Sequence, residues 1–336
     1  MCCFERDRGG TWNLFLAPMN KSFDCVFCGS CVADLLVRPV PLESAIGAGV
    51  VLIIDPIRLT TGGLACNSSI ALNRLGLKSA VLAYIWADDW GETIRRRLET
   101  EGVDCQRLLR HPTASTSTTV VLVDPGGERS FAHCAGASNR LARSVMLDNL
   151  DLFARSRMML VGYYSQMPDL EDDLPEVLAA IRATGCQTAL DAAGSGGSMQ
   201  PLDRILPYLD VYVPSRDEAM HQTGKSDPRE VIETFRRCGA AGILGVKLGS
   251  EGALLSPAAG EYVAVPCVPA PGPIIDTTGA GDAFFAGLLA GLVRGLSVAD
   301  AGRLGAATAA CCITAVGATE GIRLDRVRRV AGMESD

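Results

Sequence analysis

The chain has 336 residues, 48% of them apolar and 21% charged, and a formal charge of −7. That length suits one large α/β domain whose core needs neither a metal nor disulfides to be stable. The acid excess and an aromatic content of 5% exclude a nucleic-acid groove, which wants clustered Lys and Arg interleaved with aromatic rings.

Residues 1–20 show no periodicity, contain a second methionine, Met19, and are expected to be a detached tail or a misassigned start. The fold is expected to begin near Phe23, with a single domain over 21–330. The predicted strands are Asp24–Cys28, Ser79–Tyr84, Met158–Val161, Gln187–Leu190, Val211–Val213, Gly242–Lys247 and Ala253–Leu255. Between them the apolar spacing predicts helices over Asn67–Leu75, Glu92–Glu101, Leu174–Thr184, Asp217–Thr223, Pro228–Cys238, Ala280–Arg294 and Val298–Ala315. Strands alternating with helices of this length imply crossover units, a mostly parallel Rossmann-like sheet and a three-layer α/β fold. Two stretches, 35–61 and 115–133, break the rhythm with Val, Ile and Thr and no helix. The second holds a hairpin pattern, Val120–Asp124 and Arg129–Ala132 about Pro125-Gly126-Gly127. Together they predict a small β-sheet lid over the ligand crevice of the main sheet.

Asp276-Thr277-Thr278-Gly279-Ala280-Gly281-Asp282 carries the clearest chemistry. A polar glycine turn runs into an apolar helix, so bare backbone N–H groups and the helix dipole can meet a phosphate. Asp282 would compete with that anion unless it takes a proton from a hydroxyl attacking the bound phosphoryl group. The plainer alternative is that Asp282 caps the helix. Asp276 is placed at the end of the preceding strand, where it can bind a cation or orient the loop.

With Ala283-Phe284-Phe285-Ala286-Gly287, this segment resembles the C-terminal signature of the ribokinase-like (PfkB) carbohydrate kinases, D-T-x-G-A-G-D-x-F-x-A/G-G. Gly62-Gly63-Leu64-Ala65-Cys66-Asn67 is similar to the N-terminal signature. Glu101-Gly102-Val103-Asp104 and Lys247-Leu248-Gly249-Ser250-Glu251-Gly252 resemble further family turns, and the likeness runs from about Phe23 to Ile322. It implies a ribokinase-like sandwich that transfers phosphate from ATP to a small sugar. Asp282 is similar to the family's catalytic base, and the amides of Gly279, Ala280 and Gly281 to its anion hole. Asp34, Gly62, Gly63 and Asn67 resemble the sugar-contacting set; Ser215, Lys247, Gly249 and Gly252 resemble the nucleotide side. Glu218 would serve Mg²⁺, through water, and Asp276 is near the monovalent-cation (K⁺) site of many members.

The chain departs from the family in places. Ser215 replaces the Asn of the N-x-x-E motif, which predicts an altered metal shell with activity retained. Trp86 replaces a glycine, and Asp191-Ala192-Ala193-Gly194-Ser195 lacks the Asn and Arg of a D-x-N-x-R segment, which disfavours fructose and 2-keto-3-deoxygluconate. A nucleoside kinase would need aromatic rings around a base, and the lid segments offer Phe131 and few others. A non-catalytic sugar-binding regulatory protein would keep the sugar set but not Asp282 and its glycines. A dehydrogenase would need G-x-G-x-x-G where the chain has Gly29-Ser30-Cys31-Val32-Ala33-Asp34.

Competing signals are weaker. The thirteen cysteines are scattered and no secretory leader is evident, so they read as reduced core thiols of a cytoplasmic protein. Cys25, Cys28 and Cys31 form C-x-x-C-x-x-C without a fourth thiolate at motif spacing, and fit a buried strand better than a metal. Gly224-Lys225-Ser226 imitates a P-loop end but reads as a helix end. His133 lies in the lid, where a satisfied surface role outweighs substrate contact. No apolar run reaches the roughly 18 residues of a membrane span. The expected partners are the sugar and ATP, with no nucleic acid or membrane; a lid edge could pair with a second subunit.

Overall fold

The apolar runs fold as the strands of crossover units, and the computed structural model describes them over residues 21–43, 47, 49, 51–194 and 196–333. The expected tail at 1–20 and Ser195 lie outside the described residues. The chain begins with β1 (Phe23–Gly29), β2 (Val32–Val37), β3 (Arg58–Gly62), α1 (Leu64–Arg74), β4 (Ser79–Ile85) and α2 (Asp89–Thr100). There follow β5 (Asp104–Arg110), β6 (Ser117–Val123), β7 (Arg129–Cys134), α3 (Arg143–Asp148), α4 (Leu150–Ala154), β8 (Ser156–Gly162) and α5 (Leu174–Ala183). Next come β9 (Gln187–Leu190), α6 (Met199–Ile205), β10 (Val211–Tyr212), α7 (Arg216–Thr223), α8 (Pro228–Arg237) and β11 (Ile243–Lys247). The last elements are β12 (Ala253–Ser256), β13 (Val263–Val265), α9 (Ala280–Val293), α10 (Val298–Cys312) and α11 (Leu324–Val330).

The main sheet has the order β13-β12-β11-β10-β9-β8-β1-β4-β5. Its neighbours are parallel except at β11–β12 and β12–β13. Helices cover both faces, which is why the central strands read as unbroken apolar runs. Along β1, Cys25 and Phe27 pack into the layer holding α1, α2, α9, α10 and α11, whereas Val26 and Cys28 pack into that of α3–α8. The thiols of Cys25 and Cys28 therefore point to opposite faces and do not converge on one ion. Strand order reverses between β1 and β8, and the carboxyl ends of the strands on either side of such a reversal open the ligand crevice of an α/β sheet.

A separate sheet, β3-β2-β6-β7, is built from the two segments that interrupt the crossover pattern. Val120 pairs with Ala132 and Val123 with Arg129 in the predicted hairpin, closed by Asp124 N–H to Glu128 O at 3.0 Å. β6 alternates buried and half-buried residues, so one face of this sheet is turned inward; β7 is largely exposed. Among the described residues no helix is long and apolar enough to cross a membrane.

Candidate active site

Successive strand ends deliver the polar groups of the crevice. Tyr163 follows β8, Asp191 follows β9, Ser215 lies just beyond β10, and Lys247 closes β11. Tyr163 has φ 60, the only left-handed non-glycine among the described residues. Its N–H donates to Asp191 O at 3.0 Å, and its phenol reaches Asp282 Oδ1 and Oδ2 at 3.2 and 3.3 Å. Holding a tyrosine there costs about 1–2 kcal/mol, so the surroundings over-determine its aim.

α9 starts at Ala280, after Gly279 at φ 74. A side chain at Gly279 would be strained in that conformation, and its Cβ would lie 2.4 Å from Ala318 Cβ. The first N–H groups of a helix have no intrahelical acceptor. That of Ala280 lies 3.3 Å from Thr277 O in a turn contact, and would share or exchange it to bind an anion. Lys247 Nζ stands close by, 3.6 Å from where a Cβ on Gly281 would be. Asp282, in the first turn of α9, is only 4% exposed. It does not cap the helix with its side chain; its carboxylate accepts from Asn67 Nδ2 at 2.8 Å and from Tyr163. Burial pushes its carboxyl above the ordinary range, opposed by the bond from Asn67, by Lys247 and by Tyr163, and helped by the charge of Glu218. Burial together with the neighbouring carboxylates raises the Tyr163 phenol as well, so it stays protonated and donates. Asn67 Oδ1 is buried without a partner among the described residues, an acceptor waiting for a donor.

Lys247 pairs with Asp191 at 3.0 Å, with side chains 14% and 2% exposed, and its Nζ lies 5.6 Å from the centre of the Phe285 ring. Burial lifts the Asp191 carboxyl to about 7 against the pull of Lys247, with Glu218 and Asp282 adding to the rise. Burial alone would lower the Lys247 ammonium, but Asp191 and Glu218 hold it above its ordinary value. Ser215 caps α7, and Glu218 completes a capping box: Ser215 N–H donates to Glu218 Oε2 at 2.7 Å and Glu218 N–H reaches Ser215 Oγ at 3.4 Å. Serine at this position is thus explained locally, since it does the capping that Asn also does. Asp191, Glu218 and Asp282 set three carboxylates around one ammonium, a charge balance that suits a divalent cation. No group of described His, Cys, Asp or Glu residues forms a ready-made metal cage, so Mg²⁺ would arrive with water and phosphate oxygens, as it commonly does.

On the other wall, Asp34 of β2 pairs across to Thr60 and Thr119, and Gly62 lets it approach: a Cβ there would be 2.0 Å from Asp34 Oδ2. Burial raises the Asp34 carboxyl to about 6, with a hydrogen bond from Thr119 pulling the other way. Thr119 Oγ1 is also 3.0 Å from His133 Nδ1. Asp34, Gly62, Gly63, Asn67, Ser215, Glu218, Lys247, Gly249, Gly252, Gly279, Ala280, Gly281 and Asp282 all line one cleft of about 840 Å³, with Phe131 and His133 on its small-sheet side. Gly224 ends α7 in a left-handed conformation, and Gly224-Lys225-Ser226 has no place on this cleft.

Asp276 stands apart. It does not end a strand; it lies in a connection held by Ile275 N–H to Ile313 O at 2.8 Å, and it borders an adjoining cavity of about 460 Å³. Arg129 of β7 pairs with it at 2.7 Å. Sequence reasoning did not place Tyr163, Asp191 or Arg129 in the site. For Asp191 a carboxylate ending a buried strand was a usable signal; Tyr163 and Arg129 acquire their roles only through the packing of distant segments.

Comparison with known proteins relates the sequence and the fold to others. The model of the pfkB family carbohydrate kinases matches residues 24–324. A sugar kinase of Archaeoglobus fulgidus, uncharacterized, is 29% identical over 259 residues, covering 75% of this chain and 98% of that protein. The ribokinase of Haemophilus influenzae is 27% identical over 274 residues, covering 79% of this chain and 85% of its own. In fold, the chain is similar to Arabidopsis thaliana ribokinase complexed with ribose and ATP, with a TM-score of 0.79 at 22% identity over 92% of this chain and 98% of that one.

Proposed function

The chain belongs to the pfkB family of carbohydrate kinases, and from that premise we propose that it transfers the γ-phosphoryl group of ATP to a hydroxyl of a small sugar, with Asp282 as general base. The observation that carries this reading is a buried carboxylate in the first turn of α9, beside bare helix amides and aimed by Asn67 and Tyr163. Such a group is too buried to serve as a solvated cap, and burial, by raising its proton affinity, makes it a stronger base than an ordinary carboxylate.

The sugar lies between the two sheets, where Asp34, the backbone at Gly62 and Gly63, and Asn67 offer acceptors and donors for paired hydroxyls. Asn67 Oδ1 gains a partner there, which removes an unpaired-acceptor cost of about 1–3 kcal/mol. ATP lies along Gly249, Gly252 and the 279–281 turn. The sugar hydroxyl gives its proton to Asp282 as its oxygen bonds to phosphorus; the bond from phosphorus to the bridging oxygen breaks and ADP leaves. The amides of Gly279, Ala280 and Gly281, with Lys247 beside them, hold the charge on the transferring group. Glu218 would be the residue to hold Mg²⁺, which when bound would supply neutralisation of the phosphate oxygens. Closure of the small sheet excludes water as a competing acceptor.

The test is ADP release from Mg·ATP across pentoses, hexoses, ketoses, sugar acids and nucleosides. One strong sugar hit, lost on Asp282→Asn, supports the reading. A nucleoside hit would transfer the cleft to a base-binding kinase with Phe131 as its stacking surface. Silence across the panel, with sugars still raising the melting temperature, would leave a sugar-binding regulatory protein.

A further inference from the structure

The carboxylate of Asp276 accepts from three nitrogen donors. Thr278 N–H donates to Oδ1 at 2.8 Å, Gly317 N–H donates to Oδ2 at 3.0 Å, and Arg129 Nη2 sits 2.7 Å from Oδ1. The other arm of the same guanidinium donates to Thr278 Oγ1. Arg129 thus forks across both ends of the three-residue lead into Gly279, with its side chain 21% and that of Asp276 9% exposed. It does so from the first residue of β7, the hairpin strand that pairs with β6, which in turn pairs with Asp34's strand β2. An alkali ion binds through a shell of oxygens. Here the single positive charge that such an ion would bring to Asp276 is already present, fixed in a planar fork that a spherical ion does not supply. The residues at Asp276 do not fit a monovalent cation.

We propose that the Arg129 guanidinium replaces a monovalent cation at Asp276, so that the anion-hole turn is set by the position of the small sheet and not by K⁺. Arg129 is a positioning residue: it acts on Gly279–Gly281 through Asp276 and Thr278, and it makes sugar closure and phosphoryl-site assembly one event. This rests on the kinase reading of the 279–282 turn.

The experiment compares wild type, Arg129→Ala and Arg129→Lys in chloride salts of Na⁺, K⁺ and tetramethylammonium at fixed ionic strength, by turnover and by melting temperature. Wild type is expected to respond equally to the three salts in both readouts. Arg129→Ala is expected to lose about tenfold or more in kcat, the scale of a charge-assisted contact, with little change in the sugar KM. K⁺ or millimolar guanidinium should then restore turnover and selectively raise the melting temperature of Arg129→Ala. Arg129→Lys should fall between, keeping the charge without the fork. A wild type that needs K⁺, or an Arg129→Ala protein that turns over normally, overturns the proposal. So does a turnover loss that neither cation repairs, since that is the mark of a merely structural contact. If wild type transfers no phosphate to any sugar, the kinase reading fails by itself. The melting temperatures still decide the cation question: K⁺-selective stabilisation of wild type, or of neither protein, refutes the substitution.

Discussion

Replacing Asp282 by Asn separates binding from chemistry. The side chains have the same shape, so the introduced amide can still accept through its oxygen from either Asn67 Nδ2 or the Tyr163 phenol, the two donors now at 2.8 and 3.2 Å. What it cannot do is take a proton. Loss of a positioned general base costs about 10²–10⁴ in rate, or about 2.7–5.4 kcal/mol of barrier at 1.36 kcal/mol per factor of ten. Stability should move the other way. Burial and the charge of Glu218 already disfavour the ionised carboxylate, so a neutral amide relieves that penalty and the melting temperature should hold or rise. Sugar affinity should change by no more than about tenfold, one hydrogen bond's worth. The assay pairs coupled ADP release with calorimetric sugar binding. Because the folded-state proton affinity of Asp282 is raised, wild-type kcat should fall as pH drops through that raised value, and the residual rate of the variant should lose this limb. Turnover within about threefold of wild type, with sugar binding intact, would refute Asp282 as the base.

Three further outcomes follow from the same geometry. Gly279→Ala forces a Cβ into a left-handed residue 2.4 Å from Ala318 Cβ; a loss of about 2 kcal/mol or more is expected in denaturant unfolding, together with a lower kcat, and unchanged stability would show the turn is looser than drawn. Lys247→Met leaves the buried Asp191 carboxyl, already lifted to about 7, to take up a proton without its partner, and should destabilise by about 1–3 kcal/mol. Adding Asp191→Asn should return most of that loss, and strict additivity of the two substitutions would disprove the pairing. Asp34, raised to about 6 by burial, can accept from sugar hydroxyls on both oxygens only while ionised, so the sugar KM should climb as pH falls below that value. Thr119→Val removes the opposing hydrogen bond and should move the climb to higher pH; a KM flat with pH would place the sugar elsewhere.

Much of this architecture was legible because burial writes itself into sequence. The central strands around Phe27, Leu160 and Ala189 are covered on both faces, so they appear as short apolar runs whose limits fall within a residue or two of the predicted ones. β5 was not predicted: as an edge strand it keeps Asp104, Gln106, Arg107 and Arg110 beside its buried Cys105 and Leu108, and its charges mask the alternation. β13 has three residues, too few for a period to show, and α10 stops at Cys312, not Ala315. In the site, the Gly279–Gly281 turn and Asp282 stood out because a polar glycine turn running into an apolar helix with an acid in its first turn is a local pattern. Gly62 entered through the resemblance, since the close approach that needs it is to Asp34 on a distant strand. Tyr163 was not, since nothing in Gly162-Tyr163-Tyr164 announces a left-handed backbone. Asp276 was misplaced at a strand end because the segment before α9, apolar at Ile274 and Ile275, is not paired in a sheet.

The two walls of the cleft are built to different standards, and this bears on how specificity can vary. On the main-sheet side, Asp282, Asp191, Lys247 and Glu218 are held by packed neighbours and by each other, so a change in any one alters the charge felt by the rest. On the small-sheet side, Phe131 is 59% exposed and His133 bonds to Thr119, a contact that hydroxyl groups of a ligand could rearrange. Substitutions on β6 and β7 should therefore shift the sugar KM and preference while leaving kcat for the best sugar nearly intact. Arg129 is the exception among these lid residues, because its guanidinium crosses to Asp276 and Thr278 ahead of α9. A strand that carries a contact to the turn leading into α9 cannot vary freely at that point, however exposed the rest of it is.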